Sequence, residues 1–269
     1  MGGKKENLVK VVVPLYKERL DDLESCALDN TMRMFERHPV VFLKPEGLEI
    51  DMLARKYPQA QVVRVTGEWL GRKNGIHGYN NMMMDAGFYR LFSSCEYIPI
   101  CHTDAWIFRD DLEAWCRKGY DLVAAPWPLR PRYKFFPLKR WLKMKAALER
   151  RRKGASRMDM YGRVGNGGLS LRRVDSCIGV LETQSERVAL YQRKQYEDGL
   201  YYEDLFWSMV PRPFRYPTAE EALDFAFDLK PKLCYSLNDH KLPMGCHGFQ
   251  HKSRIDFWRK FIPCLNGSR

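Results

Sequence analysis

The chain opens on an apolar run, Leu8 to Leu15, interrupted by Lys10 and closing around Pro14. A valine-rich run without polar alternation predicts a strand buried on both faces, as in a parallel sheet. Asp21 to Arg37 then changes period. Leu23, Leu28, Met32 and Phe35 fall at helical spacing, which predicts an amphipathic helix. Val40 to Leu43 is a second strand, stopped by Pro45-Glu46-Gly47. Leu48 to Tyr57 is a second helix, with Pro58 beyond its end, and Gln61 to Val65 is a third strand. Strand and helix alternate as in βαβ units, so the expected class is α/β with a largely parallel sheet.

Gly71-Arg72-Lys73-Asn74-Gly75 is a basic, turn-rich loop before a helix expected from Gly78 to Phe92. Tyr97 to Cys101 is a short buried strand running straight into His102-Thr103-Asp104. A helix over Asp111 to Arg117 and a strand over Leu122 to Ala125 follow, closed by Pro126-Trp127-Pro128. Pro137 to Lys153 has a partial apolar stripe at Leu138, Trp141, Leu142 and Leu148, and Gly154-Ala155-Ser156 breaks it. Val164 to Leu171 carries Asn166-Gly167-Gly168. Ser176 to Leu190 is helical by pattern, Glu203-Asp204 sits at the opening of another helix, and the tail from Ala222 is mixed, with a turn at Pro243 to His247. There is no internal repeat and no low-complexity linker. The expected organisation is one domain over 1–269 with a basic helical insertion, or lid, over 130–157.

Composition narrows the class. With 45% hydrophobic and 29% charged residues the chain is a folded globular protein rather than a disordered one. No apolar run approaches the roughly 20 residues of a membrane helix. Met1 to Glu6 has neither a signal-peptide core nor, with Glu6 where Ser or Thr is needed, a myristoylation signal. A cytoplasmic protein is expected, with peripheral contact at the inner face of the membrane as an option. The eight cysteines form no C-x-x-C pair and several lie in apolar stretches, so they read as reduced core thiols. Cys234, Cys246, His247 and His251 match no standard zinc spacing. The net charge of +12 is localised: Arg130 to Lys153 holds eleven Lys or Arg against the single acid Glu149. A general nucleic-acid binder spreads its basic surface further, so no specific nucleic-acid partner is expected.

Ligands of open α/β sheets bind beyond the carboxyl ends of the strands. Three polar features sit there: Pro14-Leu15-Tyr16-Lys17, His102-Thr103-Asp104 and Asn166-Gly167-Gly168. Asp104, directly after an apolar strand, suits a divalent ion bridging two phosphates; a turn or helix cap is the bland alternative. The glycines at 167 and 168 let backbone approach a ligand closely, although ordinary turns use such pairs too.

Val11-Val12-Val13-Pro14-Leu15-Tyr16 resembles the nucleotide-binding first strand of GT-A glycosyltransferases, and His102-Thr103-Asp104 stands where those enzymes carry their Asp-x-Asp metal motif. More closely, the chain resembles an uncharacterised bacterial glycosyltransferase-like family of surface-polysaccharide loci. The likeness runs through Gly78-Tyr79-Asn80, Thr103 to Phe108, Gly119-Tyr120-Asp121, Ala125-Pro126-Trp127, Val164 to Arg172, Glu203-Asp204 and Gly245-Cys246-His247. It implies a Rossmann-like GT-A sheet with flanking helices, a nucleotide-diphosphate sugar as donor, and a glycan or lipid-linked acceptor.

The usual motif has two acids, and the first position here is His102. The resemblance therefore implies a metal set of Asp104, His247 and His102, with Mn²⁺ better suited than Mg²⁺ to imidazole; an ordinary turn histidine is the other reading of His247. It implies donor contacts from Pro14, Tyr16, Lys73, Asn80, Thr103, Asp104, Asn166, Gly167 and Gly168, with Arg72 beside Lys73 against the diphosphate charge. It implies Asp204, with Glu203 second, as the base that deprotonates the acceptor hydroxyl of an inverting transfer. A helix dipole alone also favours carboxylates at that position. The basic stretch reads as a lid, an anionic-membrane contact or a solvated helix. The competing function is a non-catalytic binder of anionic polymer, nucleic acid or polysaccharide, which explains the charge but not the ordered strand-end motifs.

Overall fold

The computed structural model describes residues 5–71 and 73–267. Its elements in chain order are β1 (Asn7–Val9), β2 (Val11–Pro14), α1 (Asp22–Met34), β3 (Val40–Pro45), α2 (Asp51–Lys56), β4 (Gln61–Val65), α3 (Gly75–Met83), α4 (Ala86–Arg90), β5 (Cys95–Cys101) and β6 (Ala105–Ile107). There follow α5 (Leu112–Arg117), β7 (Leu122–Ala124), α6 (Leu138–Lys153), β8 (Leu169–Arg173), α7 (Val174–Thr183), α8 (Ser185–Lys194), α9 (Glu203–Met209), α10 (Ala219–Phe225), β9 (Ala226–Phe227), α11 (Pro231–Leu237), β10 (Gly245–His247) and α12 (Ile255–Trp258).

The main sheet has the order β4-β3-β2-β5-β8-β7, with β1 alongside β5. Strands β1 to β5 run parallel where they pair, and β8 lies antiparallel to both β5 and β7. The expected parallel α/β sheet is therefore present, with one reversed strand. The single strand expected over 8–15 is split at Lys10, which leaves the ladder while Val9 and Val11 stay buried on either side. The helix expected over 78–92 is two. Asp85 sits between them and accepts the Gly87 N–H at 2.7 Å, capping a fresh start. Likewise the 176–190 helix begins at Val174 and turns at Gln184.

Alternation in the strands divides the core. Val12, Ile98 and Ile100 face α3, α4, α7 and α9, whereas Val11, Val13 and Tyr97 face α1 and α5. The tail builds a third core around Trp258, Phe249 and Phe227, beneath a small sheet of order β6-β10-β9. That sheet follows β5 through a three-residue turn, so it carries the tail to the carboxyl end of the main sheet. All eight cysteines are free thiols, six of them buried.

One polar group lies deep in the first core. Arg172, on β8, is fully buried. It donates to Glu203 Oε2 at 2.9 Å, Tyr89 Oη at 3.1 Å and Ser170 Oγ at 3.1 Å, with the Trp207 ring 5.6 Å from its guanidinium. Breaking one partner of such a pair strands a charge without water. Arg172→Met is expected to lower unfolding free energy by about 3–5 kcal/mol, read by urea denaturation. Arg172→Met with Glu203→Gln should recover part of that loss; a single variant as stable as the parent would show that the pair does not hold α9 to the sheet.

Candidate active site

The central strand β5 ends at Cys101, and the next three residues turn sharply into β6. This turn is tied on both sides by main chain: the His102 N–H donates to Gly168 O at 2.9 Å, and the Gly248 N–H to Asp104 O at 2.9 Å. The register of β6 against β10 pairs Ala105 with His247. Three distant stretches, 102–104, 166–168 and 245–248, are thus held together by backbone before any side chain acts.

The side chains then converge. Metal-competent atoms of His102, Asp104 and His247 lie within 4.8 Å of one another, and this is the one group of three such residues among the described residues. His247 Nε2 is 3.2 Å from Asp104 Oδ1, and its Nδ1 is 3.5 Å from Asp228 Oδ1. Burial opposes a charge on His247, but the Asp104 and then Asp228 carboxylates outweigh it and raise its pKa to about 10. Asp104 is held well below the usual carboxylate range: burial works against its charge, and His247 more than offsets that. His102 goes the other way, down to about 4, through burial and then the neighbouring His247 charge. It is therefore a neutral imidazole at neutral pH. Its Nε2 is buried without a hydrogen-bond partner, as suits an atom placed to ligate an ion. The donor set fits a divalent cation on that ground.

Asn166-Gly167-Gly168 is packed, not merely turned. Asn166 Nδ2 donates to Asp228 Oδ2 at 2.8 Å while its Oδ1 accepts the Gly168 N–H at 3.0 Å. A Cβ at Gly168 would lie 2.1 Å from His247 Nε2, and one at Gly167 would lie 1.9 Å from Glu203 Oε1. The backbone therefore runs between the two charged clusters with no room for side chains.

Of the donor candidates, Pro14 ends β2, and Tyr16 lies beside it with its ring 6.2 Å from that of His102. Burial first, then the Asp104 and Glu203 charges, keep the Tyr16 phenol protonated. Thr103 is buried within the 102–104 turn. Lys73 is exposed in the turn before α3 and pairs with no carboxylate among the described residues; Arg72 lies outside them. Asn80 is buried, and its Nδ2 donates to Gln195 Oε1 at 3.0 Å, which ties α3 to the end of α8. The Glu203 carboxylate pairs with Arg172. Its neighbour Asp204 is not ion-paired: it accepts the Leu205 N–H at 2.7 Å, and burial, then the Glu203 charge, push it up to about 7.

Sequence reasoning missed Asp228. Buried behind His247, it binds Asn166 and Arg254 as well. Its signal was the one that picked out Asp104, an acid straight after an apolar run, here Phe225-Ala226-Phe227. Arg254 and the orphaned Tyr79 hydroxyl, whose ring is 5.0 Å from His102, had no such signal.

A mostly parallel sheet whose central strand runs into a metal-competent turn is the GT-A architecture, and the chain has that fold. It aligns with the galactosyltransferase LgtC, in a structure with donor and acceptor sugar analogues, at TM-score 0.56 and 12% identity over 96% of this chain and 95% of that one. It aligns with apo mouse xyloside xylosyltransferase 1 at TM-score 0.53 and 10% identity, over 92% and 98%. It also aligns with the apo bifunctional glycosyltransferase WbbM at TM-score 0.53 and 12% identity; there 98% of this chain spans 50% of that protein. By sequence the chain belongs to the family described as protein of unknown function (DUF5672), whose profile matches residues 59–247. No curated protein matches it.

The two glycines are expected to fail differently when substituted. Gly167→Ala forces a methyl onto a carboxylate locked in a buried pair and should cost about 1–3 kcal/mol. Gly168→Ala meets a partly exposed imidazole that can swing away, so it should spare more stability while displacing His247. Denaturation of both variants tests this, and equal losses would contradict it.

Proposed function

We propose that the protein is a glycosyltransferase moving a sugar from a nucleotide-diphosphate sugar to a hydroxyl of a surface-glycan or lipid-linked acceptor. The observation carrying this reading is the convergence of His102, Asp104 and His247 beside the 166–168 turn at the carboxyl end of a GT-A sheet. Asp104, His247 and His102 would hold Mn²⁺ or Mg²⁺, and such an ion supplies charge stabilisation to a departing diphosphate. Ligation requires His247 to give up its proton, and Asp228 behind Nδ1 then orients the ring. Tyr16, Pro14, Thr103 and the backbone around Gly167 and Gly168 line the donor side.

Asp204 is the base. An acceptor oxygen forms its bond to the anomeric carbon as the bond from that carbon to the diphosphate oxygen breaks. The hydroxyl proton passes to the Asp204 carboxylate. A single displacement of this kind inverts the anomeric centre, so the product anomer read by NMR tests the assignment; retention would remove Asp204 from the role. The polymer-binding alternative accounts for the basic stretch but leaves the convergence of His102, Asp104 and His247 without a role.

The deciding measurement is a thermal-shift panel of UDP, GDP, CDP and dTDP with and without Mn²⁺. A ligand at 100 times its Kd adds about 2.7 kcal/mol, which moves Tm by roughly 5–10 °C for a chain of this size. One nucleotide should stand out with Mn²⁺ present, and Asp104→Asn should remove the metal-dependent part. No shift with any nucleotide would end the proposal.

Asp204 carries its own pH signature. With its pKa raised from 3.8 to about 7, kcat/KM should climb with pH through about 7 as the base deprotonates, and Asp204→Asn should lower kcat by about 10²–10⁴-fold. The folded state binds this proton more tightly than the unfolded one. Stability from this group is thus greatest at low pH and falls as pH rises between its ordinary value and about 7. Asp204→Asn should therefore raise Tm relative to the parent at pH 8 but not at pH 4. An unchanged difference across that range would show that the carboxyl titrates normally.

A further inference from the structure

Helix α6 carries two apolar stripes, and the body of the protein uses one. Leu138, Leu142, Ala146 and the stem of Glu149 form the inward face, with Ala146 buried and Glu149 accepting from Ser156 Oγ at 2.5 Å. Its C-terminal end is fixed by the Tyr201 hydroxyl on Lys153 O at 2.9 Å. Trp141, Met144 and Leu148 follow i, i+3, i+7 spacing on another side of the helix, where they are 51%, 63% and 58% exposed. Phe135 and Phe136, just before the helix, are 67% and 78% exposed. Five of the large apolar side chains left to water thus crowd into fourteen residues. Such a cluster marks an interaction surface rather than scattered surface apolarity.

Cations surround the stripe. Arg140, Lys143, Lys145, Arg151 and Arg152 flank it. In the stretch Arg130–Lys153, Lys145, Arg150 and Lys153 have carboxylate partners, and the other cations have none among the described residues. Beside the helix lies a cleft of about 350 Å³ lined by Arg130, Lys145, Lys230, Tyr133, Trp141 and Tyr161, without an acidic side chain. Lys230 stands 4.7 Å over the Tyr161 ring there. A second copy of this surface would bring like charges together. A nucleic-acid duplex would match the charge but leave the phenylalanines wet. An interface that is apolar at depth and anionic at its plane matches both.

We propose that Arg130–Lys153 is a docking surface for an anionic lipid bilayer. Phe135, Phe136, Trp141, Met144 and Leu148 enter the interface, and the flanking cations and the Arg130–Lys145–Lys230 cleft receive lipid phosphates. This goes beyond the transfer reading and does not rest on it. No helix among the described residues is long and apolar enough to cross a membrane, so the attachment is peripheral.

The test is co-sedimentation of the full chain with phosphatidylcholine vesicles, with and without phosphatidylglycerol, in the absence of nucleotide and metal. Binding should require phosphatidylglycerol and weaken with salt. It should fall at least about tenfold in Phe136→Ser/Trp141→Ser and again in Arg140→Glu/Lys143→Glu. All these residues are exposed, so unchanged Tm values serve as the folding control. Brominated lipid should quench fluorescence in the parent and not in Trp141→Phe. Failure to sediment, binding indifferent to phosphatidylglycerol, or an apolar variant that binds like the parent would each overturn the proposal. The last result, together with duplex DNA competing off the vesicles, would identify a plain polyanion surface. Nucleotide-dependent thermal shifts measured on the same variants keep this outcome separate from the donor-binding question.

Discussion

The structure depends on a close approach of main chain between two charged clusters. At Gly167 and Gly168 the backbone passes against Glu203 on one side and His247 on the other, closer than any β-carbon allows. Ser170 Oγ, donating to the Gly167 carbonyl, ties this backbone to the sheet, and Asn166 anchors it to Asp228. Through the Gly168 carbonyl it fixes the His102 turn. The metal-competent triad therefore inherits its geometry from peptide groups and buried ion pairs, which are stiff, rather than from surface loops. This is the arrangement a preorganised site needs, since side chains that must be held within a fraction of an ångström require a supporting layer that cannot relax.

Adjacent carboxylates at the head of α9 are driven apart by their surroundings. Glu203 faces a guanidinium in the core, and Asp204 faces no cation but sits in the field of Glu203 itself. Two acids of nearly equal intrinsic strength are thereby held differently, one paired in the core and one left unpaired with a raised pKa. The dipole at the helix start, which favours both alike, does not distinguish them.

The central strands were legible because they are buried on both faces and therefore uninterrupted in apolar character, so Val40–Leu43 and Tyr97–Cys101 stood out; Gln61–Val65, the largely exposed edge, was legible from its valines. Asp104 was legible for the same reason, as the first acid beyond such a run. The breaks at Lys10, Asp85 and Gln184 were less so, since each is a local cap or a single charged residue inside a continuing pattern. The bond from Asn80 to a glutamine over a hundred residues away was not legible, because in sequence a buried amide looks like any polar residue on a helix. Asp228 was overlooked because β9 has two residues, too few to show a period. The tail resisted reading as a whole: its short strands exist only by pairing, β10 with β6 and β9 with β10, and no local signal encodes those partners.

Charge is segregated in this molecule, and the segregation constrains what the basic segment can be for. The carboxylates around the metal-competent turn are met from within: Glu203 by Arg172, Asp228 by Arg254, and Asp104 by His247. Those three cations come from β8, the tail and β10, and none from residues 130–153. The site's charge balance therefore does not call on the insertion. A block of like charges held on an ordered helix repels itself and destabilises the compact state, and the fold holds it in place with a pinned helix end and a half-buried inward stripe around Ala146. A merely solvated helix has no use for exposed phenylalanines and a tryptophan on the side away from the core. The coexistence of unneutralised cations and unburied aromatics on one element is resolved by a partner that is itself both anionic and apolar.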